Sequence, residues 1–137
     1  MGVIQGVPIV PGSAEGELLV SDEPMSFWGG YDAATGDLID QHHPLCGQNA
    51  RGKVLGVPFT IGSSTTAAVF LQAIRDGTAP AAIITVGTDS FLALASIVAA
   101  EMYERAVPVV SVSADEYATL RSGVRVSIDD SGQIEEL

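Results

Sequence analysis

Basic residues, cysteines and long apolar runs are scarce in this sequence of 137 residues. Six Lys and Arg stand against 17 Asp and Glu, a formal net charge of −11. This balance argues against nucleic acid or an anionic membrane as a partner, because no basic surface can neutralise phosphates. A single cysteine excludes an internal disulfide and suits a reducing, cytoplasmic location. No run approaches the roughly 20 apolar residues that a membrane-spanning helix needs, and no basic-then-apolar leader pattern is visible.

Apolar residues are plentiful by contrast. Hydrophobic residues make up 47% of the sequence and charged residues 17%, which predicts a packed core and argues against disorder. A chain of this length suits one domain with one core, so we expect a single domain over residues 1–137.

From residue 53 onward, apolar strand patterns alternate with helical ones. Residues 53–59, 81–86 and 107–112 have the composition of buried strands. The first helix between them carries apolar residues at helical spacing and meets a stop signal at Gly77. This β-α-β-α-β order predicts parallel strands joined by helical crossovers. The apolar positions of the first helix are Ala67, Phe70, Leu71 and Ile74.

A second helix follows, with Asp89 or Ser90 able to cap its start. Beyond the third strand, a short helix over 114–120 and a half-exposed strand over 124–128 are predicted, and the acidic residues after them resemble a solvated end. The spacing predicts that the second helix buries a stripe formed by Phe91, Leu94, Ala95, Val98 and Met102.

The first 61 residues contain short apolar runs that end at turn-forming residues, as in residues 7–10 and 17–20. Residues 25–51 form a long irregular stretch, and loops of that length in a compact domain are usually functional. Phe27 and Trp28 in this stretch suit either core anchoring or, if Trp28 is exposed, a docking surface or site lid.

The turn at residues 59–67 is the most informative segment. A buried strand ends there, Gly62 allows a turn, and Ser63, Ser64 and Thr65 open a helix. Such a helix start presents free N–H donors and the positive end of the helix dipole, so it favours an anion. Ser and Thr are also preferred helix caps, so these residues alone leave capping and ligand binding both open. A catalytic Ser63 would be a general base supported by the surrounding amide donors, in a site closed by a second polypeptide.

A second polar group, between Asp37 and Cys46, does not have the composition of a metal site. Adjacent His42 and His43 point in different directions, and no second cluster completes a tetrahedral ligand set. We expect no metal here, with His43 shaping a loop at an interface. Cys46 suits a small apolar position better than a ligand position. Neither a dinucleotide fingerprint nor a P-loop is present.

Several motifs in register resemble the small subunit of the aconitase X group, and the resemblance covers nearly the whole chain. They are SFWGG at 26–30, Asp40 followed by HPL at 43–45 and Gly47, GKVL at 52–55, GSST at 62–65, GTAPAAII at 77–84 and VPVV at 107–110.

The resemblance implies an α/β chain with the swivelling β/β/α fold, a mixed sheet or barrel flanked by helices. It implies a large aconitase X subunit as partner, in a heterodimer or higher assembly, and an iron–sulfur cluster held by that subunit, with no cofactor bound by this chain alone. It makes Ser63 the proton acceptor and Gly62, Ser64 and Thr65 the substrate-binding rim. The residues assigned to an interface or lid are Trp28, Gly29, Gly30, Asp40 and His43.

Two activities of the group are dehydrations, of mevalonate 5-phosphate in archaea and of cis-3-hydroxy-L-proline in bacteria. Thr60 and Ile61 stand where the archaeal enzymes commonly carry an Arg, and a phosphate would gain from such a cation. We therefore expect a small unphosphorylated hydroxy acid, with cis-3-hydroxy-L-proline first and mevalonate 5-phosphate as the alternative. A phosphohistidine swivel is disfavoured because no His stands at the helix start. A non-catalytic binding module of the same fold is the alternative from another class.

Overall fold

Eight strands and three helices make up the part of the chain that the structure, a computed structural model, describes. The described residues are 2–62 and 64–137. In chain order the elements are β1 (Val3–Gln5), β2 (Val7–Val10), β3 (Ala14–Val20), β4 (Val54–Gly56), α1 (Ser64–Asp76), β5 (Ala82–Val86), α2 (Ser90–Tyr103), β6 (Val109–Val112), α3 (Ala114–Tyr117), β7 (Arg125–Ile128) and β8 (Gln133–Glu136).

The strands form one mixed sheet in the order β1-β8-β7-β3-β4-β5-β6-β2. Strands β3 to β6 are parallel neighbours, and the remaining pairs are antiparallel. The sheet is strongly curled, because β1 and β2 lie at opposite ends of this order but are separated in the chain by Gly6 alone. The Gly6 N–H donates to the Gly132 carbonyl at 3.0 Å. A side chain at Gly6 would overlap Val110 Cγ1, so only glycine fits this closure.

Two apolar cores lie on the two faces of the central strands. On one face, Leu55 and Ile83 pack under α1 and α2, which contact each other. On the other, Val54 and Ile84 pack with α3 and the curled strands. The β4-α1-β5-α2-β6 order with parallel strands confirms the β-α-β-α-β prediction. None of the described helices is both long and apolar enough to cross a membrane.

The predicted buried stripe of α2 is wrong in most of its members. Ala95 is buried as expected, whereas Phe91, Leu94 and Met102 are exposed and Val98 is only partly buried. The helix is apolar nearly all round, so apolar spacing cannot show which side faces the sheet. The residues it buries are Leu92, Ala93, Ala95, Ser96 and Ala99.

The acidic end is also structured rather than merely solvated. Residues Gln133–Glu136 form β8, which pairs with β1 and β7. Ile134 is fully buried while Glu135 and Glu136 are exposed, so the strand presents one apolar residue inward. Strand β1, its partner at the opposite end of the sequence, has only three residues and is not predicted.

Two tyrosines link distant segments through their hydroxyl groups. The Tyr31 hydroxyl donates to the Thr78 carbonyl at 2.7 Å, and the Tyr117 hydroxyl donates to the Ser21 carbonyl. Burial raises the pKa of both phenols well above the usual value, and the carboxylates of Asp37 and Asp22 add to the shift for Tyr31 and Tyr117 respectively.

These shifts predict a loss of stability in base. Because the folded-state pKa is raised, the unfolded chain releases these protons first, from about pH 10 upward. Stability is therefore fully present below about pH 10 and declines above it, by at most about 1.4 kcal/mol per pH unit for each phenol. Denaturant unfolding across a pH series measures this decline, and Tyr31→Phe or Tyr117→Phe should each make it shallower. A free energy of unfolding that stays constant to pH 12 (about two units above the ordinary pKa) would contradict the assignment.

Candidate functional site

The candidate site lies where β4 leads into α1. Gly62 has a φ of 110°, a conformation that strongly favours glycine. A Cβ there would also lie 3.0 Å from Thr66 Oγ1, so a larger residue would be both strained and crowded. Gly62, Ser64 and Thr65 are all exposed, so the predicted substrate-binding rim is open to a ligand. Ser63 itself lies outside the described residues.

Backbone and hydroxyl contacts hold the segment before this turn in place. The buried Thr66 hydroxyl donates to the Ile61 carbonyl at 2.9 Å and so joins the first turn of α1 to its approach. The Ile61 N–H donates to the Met25 carbonyl, also at 2.9 Å, and Met25 pairs with Thr60 in an isolated parallel bridge. The approach to α1 is thus fixed from both sides.

Asp89 is the third support of this segment. Its side chain is buried, and one oxygen accepts from the Thr60 N–H at 2.9 Å and from the Thr60 hydroxyl at 2.6 Å. Its other oxygen accepts from the Leu92 N–H at 3.1 Å and caps α2. One carboxylate therefore ties the approach to α1 to the start of α2, which confirms Asp89 as the cap and adds a function that the sequence did not reveal.

The structure brings the aromatic loop beside the turn. Ser26 Oγ would lie 3.9 Å from a Cβ at Gly62, and it donates to the Trp28 carbonyl at 3.0 Å. Phe27 is fully buried and stacks on Tyr31 with ring centroids 4.9 Å apart, whereas Trp28 is 66% exposed. The two aromatics thus take different roles, Phe27 as core anchor and Trp28 on the surface.

Gly29, Gly30 and Asp40 lie in the same loop. Gly29 is exposed with a φ of 76°, while Gly30 is buried and a side chain there would overlap the Ser26 carbonyl. Asp40 is partly buried, and its carboxylate accepts from the His42 N–H at 2.9 Å.

His43 lies in the interior. Its Nδ1 accepts from the Leu45 N–H at 3.1 Å, which assigns the ring proton to Nε2. Nε2 then donates to Ser21 Oγ at 3.4 Å, joining the loop to the end of β3. His43 therefore shapes the loop from within, and its ring is not positioned at the start of α1 as phosphoryl transfer would require.

The chain around the turn carries no charge of its own, and the nearest carboxylate described above is the buried one of Asp89 on Thr60. No Asp, Glu, Lys or Arg occurs between residues 54 and 74, and α1 has no acidic residue in its first turn. The exposed side chains beside it include Phe59 and Ile61. The free N–H groups of the helix start and its dipole favour an anion such as a carboxylate, while any full positive charge must come from outside these residues.

Within residues 2–62 and 64–137, no group of three or more His, Cys, Asp or Glu side chains could hold a metal ion. Cys46 is exposed, not buried as its residue type suggested. The donor set of this chain does not fit an iron–sulfur cluster, which needs several thiolates.

Comparison with known proteins identifies the family. A family model described as the aconitase X swivel domain matches residues 3–136. This chain belongs to the aconitase X swivel-domain family. The fold agrees with this, since the curled mixed sheet with few helices matches a crystal structure of aconitase X from Thermococcus kodakaraensis at 33% identity. That match has a TM-score of 0.89 and covers 100% of this chain and 99% of the other.

Curated relatives of this swivel domain have two kinds of name. A cis-3-hydroxy-L-proline dehydratase of Pseudomonas aeruginosa is 46% identical over 101 residues, which is 74% of this chain and 17% of that protein. A phosphomevalonate dehydratase small subunit of Methanothermobacter thermautotrophicus is 41% identical over 125 residues, covering 90% of this chain and 91% of the other. The swivel domain thus spans about a fifth of the length of the hydroxyproline dehydratases it matches.

Removing the Asp89 carboxylate should destabilise the swivel domain, because the segment before the turn would lose its link to α2. We expect Asp89→Ala to lower the free energy of unfolding by about 2–4 kcal/mol, because a helix cap and two further hydrogen bonds are lost. Asp76→Ala is the control, since Asp76 ends α1 in an exposed ion pair with Arg75 and should change stability by about 0.5 kcal/mol or less. Urea unfolding measures both variants, and equal small effects would show that Asp89 is not a structural tie.

Proposed function

We propose that this chain is the swivel-domain component of an aconitase X-type dehydratase, and that its Gly62 turn contributes the base. In this proposal Ser63 Oγ takes the proton from the carbon next to the substrate carboxylate. The electron pair of that C–H bond forms the double bond as the C–O bond to the neighbouring hydroxyl breaks. The hydroxyl leaves as hydroxide, and the proton taken up by Ser63 then converts it to water and restores the base. The family match over residues 3–136, together with the exposure of Gly62, Ser64 and Thr65 on either side of Ser63 in the sequence, is the observation that carries this proposal.

The described neighbours of Ser63 support this assignment. Gly62, Ser64 and Thr65 are exposed, so a small acid can reach the turn. The amide donors at the start of α1 favour a carboxylate, and the contacts of Thr60, Ile61 and Thr66 hold the approach to the turn against the first residues of α1. A serine hydroxyl is a very weak acid, so it can act as a base only where nearby amide donors stabilise its alkoxide.

A partner polypeptide completes the site in this proposal. The rim is open to water, and a charged intermediate next to a carboxylate needs a closed pocket and a cation that residues 54–74 do not provide. We assign closure, departure of the hydroxyl and the iron–sulfur cluster to a larger aconitase X polypeptide. Trp28 and Gly29 are exposed on the loop beside the turn and would meet that polypeptide, as would the partly buried Asp40, while the buried Gly30 supports them from within.

For the substrate we propose cis-3-hydroxy-L-proline. A phosphate group is best held by a cation, and Thr60 and Ile61 precede the turn without one. The 46% identity to a relative named for this substrate supports the choice. Mevalonate 5-phosphate is the second candidate, supported by the small-subunit relatives that match nearly the whole chain.

Ser63→Ala in the co-expressed complex should lower the dehydration rate by about a hundredfold or more, because the proton acceptor is lost. Ser90→Ala is the matched control, since Ser90 is an exposed serine at the start of α2, and it should leave the rate unchanged. Both complexes are compared by product formation after confirming equal assembly. A Ser63→Ala complex with the wild-type rate would remove Ser63 from the mechanism. A wild-type complex that dehydrates no small hydroxy acid would favour the non-catalytic binding module.

The two substrates are separated by a direct comparison on the assembled complex. We expect dehydration of cis-3-hydroxy-L-proline and no turnover of mevalonate 5-phosphate at matched concentrations. Inhibition by inorganic phosphate should be weak, because residues 54–74 provide no cation to hold it beside the amide donors. Preference for the phosphorylated substrate, with strong inhibition by phosphate, would reverse the assignment.

A further inference from the structure

Helix α2 presents an apolar face to solvent in the described structure. Four large side chains lie along this side and are between 39% and 61% exposed. Helices on a protein surface normally turn such residues inward and present charged ones outward. We call this face the α2 stripe; it consists of Phe91, Leu94, Ile97 and Met102.

The helix layer around the stripe carries little charge. From residue 54 to the end of α2 at Tyr103 the charged residues are Arg75, Asp76, Asp89 and Glu101. Glu101 is exposed next to Met102, at the far end of the stripe from the Gly62 turn. Arg75 and Asp76 pair with each other at the far end of α1, and Asp89 is buried. The rest of the chain carries most of the net charge of −11. Depletion of charge around exposed large apolar side chains is typical of the centre of a protein interface.

The stripe is continuous with the candidate site. Phe91 lies two residues after Asp89, whose carboxylate binds Thr60 between the exposed Phe59 and Ile61. The exposed apolar surface therefore runs from the Gly62 turn along α2. A polypeptide that covers the turn would extend onto Phe91, Leu94 and Ile97 before it met the charge of Glu101.

We propose that the α2 stripe is the docking surface for the larger polypeptide that closes the Gly62 turn. This rests on the proposed function and specifies the partner's contacting surface, which is apolar and uncharged. Two features favour this occupant over a second copy of this chain. The hydroxyproline dehydratases carry the matching region within much longer chains, of which it is 17–21%. A second copy seated on the stripe would also obstruct the adjoining turn, which a substrate must reach.

The test places a charge on the stripe in the intact complex. The variants are Leu94→Glu and Ile97→Glu, both exposed in this chain, so neither disturbs a buried contact. Each should weaken binding to the co-expressed large polypeptide by about tenfold or more, because a carboxylate would be buried without a partner. The control is Leu137→Glu, at a leucine that follows β8, is 62% exposed and lies outside α1, α2 and the Gly62 turn. It should bind as the wild type does.

Thermal unfolding of each full-length variant alone separates docking from folding, and unchanged midpoints are expected. Wild-type affinity in both stripe variants would overturn the proposal. So would sedimentation showing that this chain alone forms a dimer that Leu94→Glu dissolves. Failure of the proposed function gives a different result. In that case the affinity of the complex would still depend on the stripe, but the complex would dehydrate no substrate.

Discussion

The carboxylate of Asp89 joins two segments that are 29 residues apart in the sequence. It receives three hydrogen bonds, two from Thr60 and one from the start of α2. Because its side chain is buried, each of these bonds is protected from competition by water. The geometry of the Gly62 turn, and with it any chemistry at the start of α1, depends on this link between two neighbouring strand-to-helix connections.

Charge is divided unevenly between two parts of the molecule. Of the 17 acidic residues, only Asp76 and Glu101 lie within α1 and α2. The other 15 lie in strands, loops and α3, including the exposed pair at the end of β8. The acidic part keeps the chain hydrated, while the layer of α1 and α2 leaves a partner free to approach the candidate site without displacing tightly held water from ions.

Local patterns in the sequence were sufficient for the parallel strands, the helices between them and the position of the Gly62 turn. Long-range pairings were not predictable in this way. Strand β1 pairs with β8, with Val3 opposite Glu135, and neither strand has a strong local signal. The orientation of α2 was predicted wrongly because Leu92 and Leu94 are equally apolar, and only contact with the sheet decides between them. Asp89 was recognisable as a cap, but its bond to Thr60 depends on the packing of adjacent strands.

The curled sheet also brings the two ends of the described chain together. The Glu136 N–H donates to the Gly2 carbonyl at 2.9 Å, so any polypeptide joined before or after this unit would leave from a common point. A domain joined to a longer polypeptide at one place is restrained only at that place, so the rest of its fold need not change. The same fold can therefore occur within a long polypeptide, as in the hydroxyproline dehydratases, or as a separate small subunit.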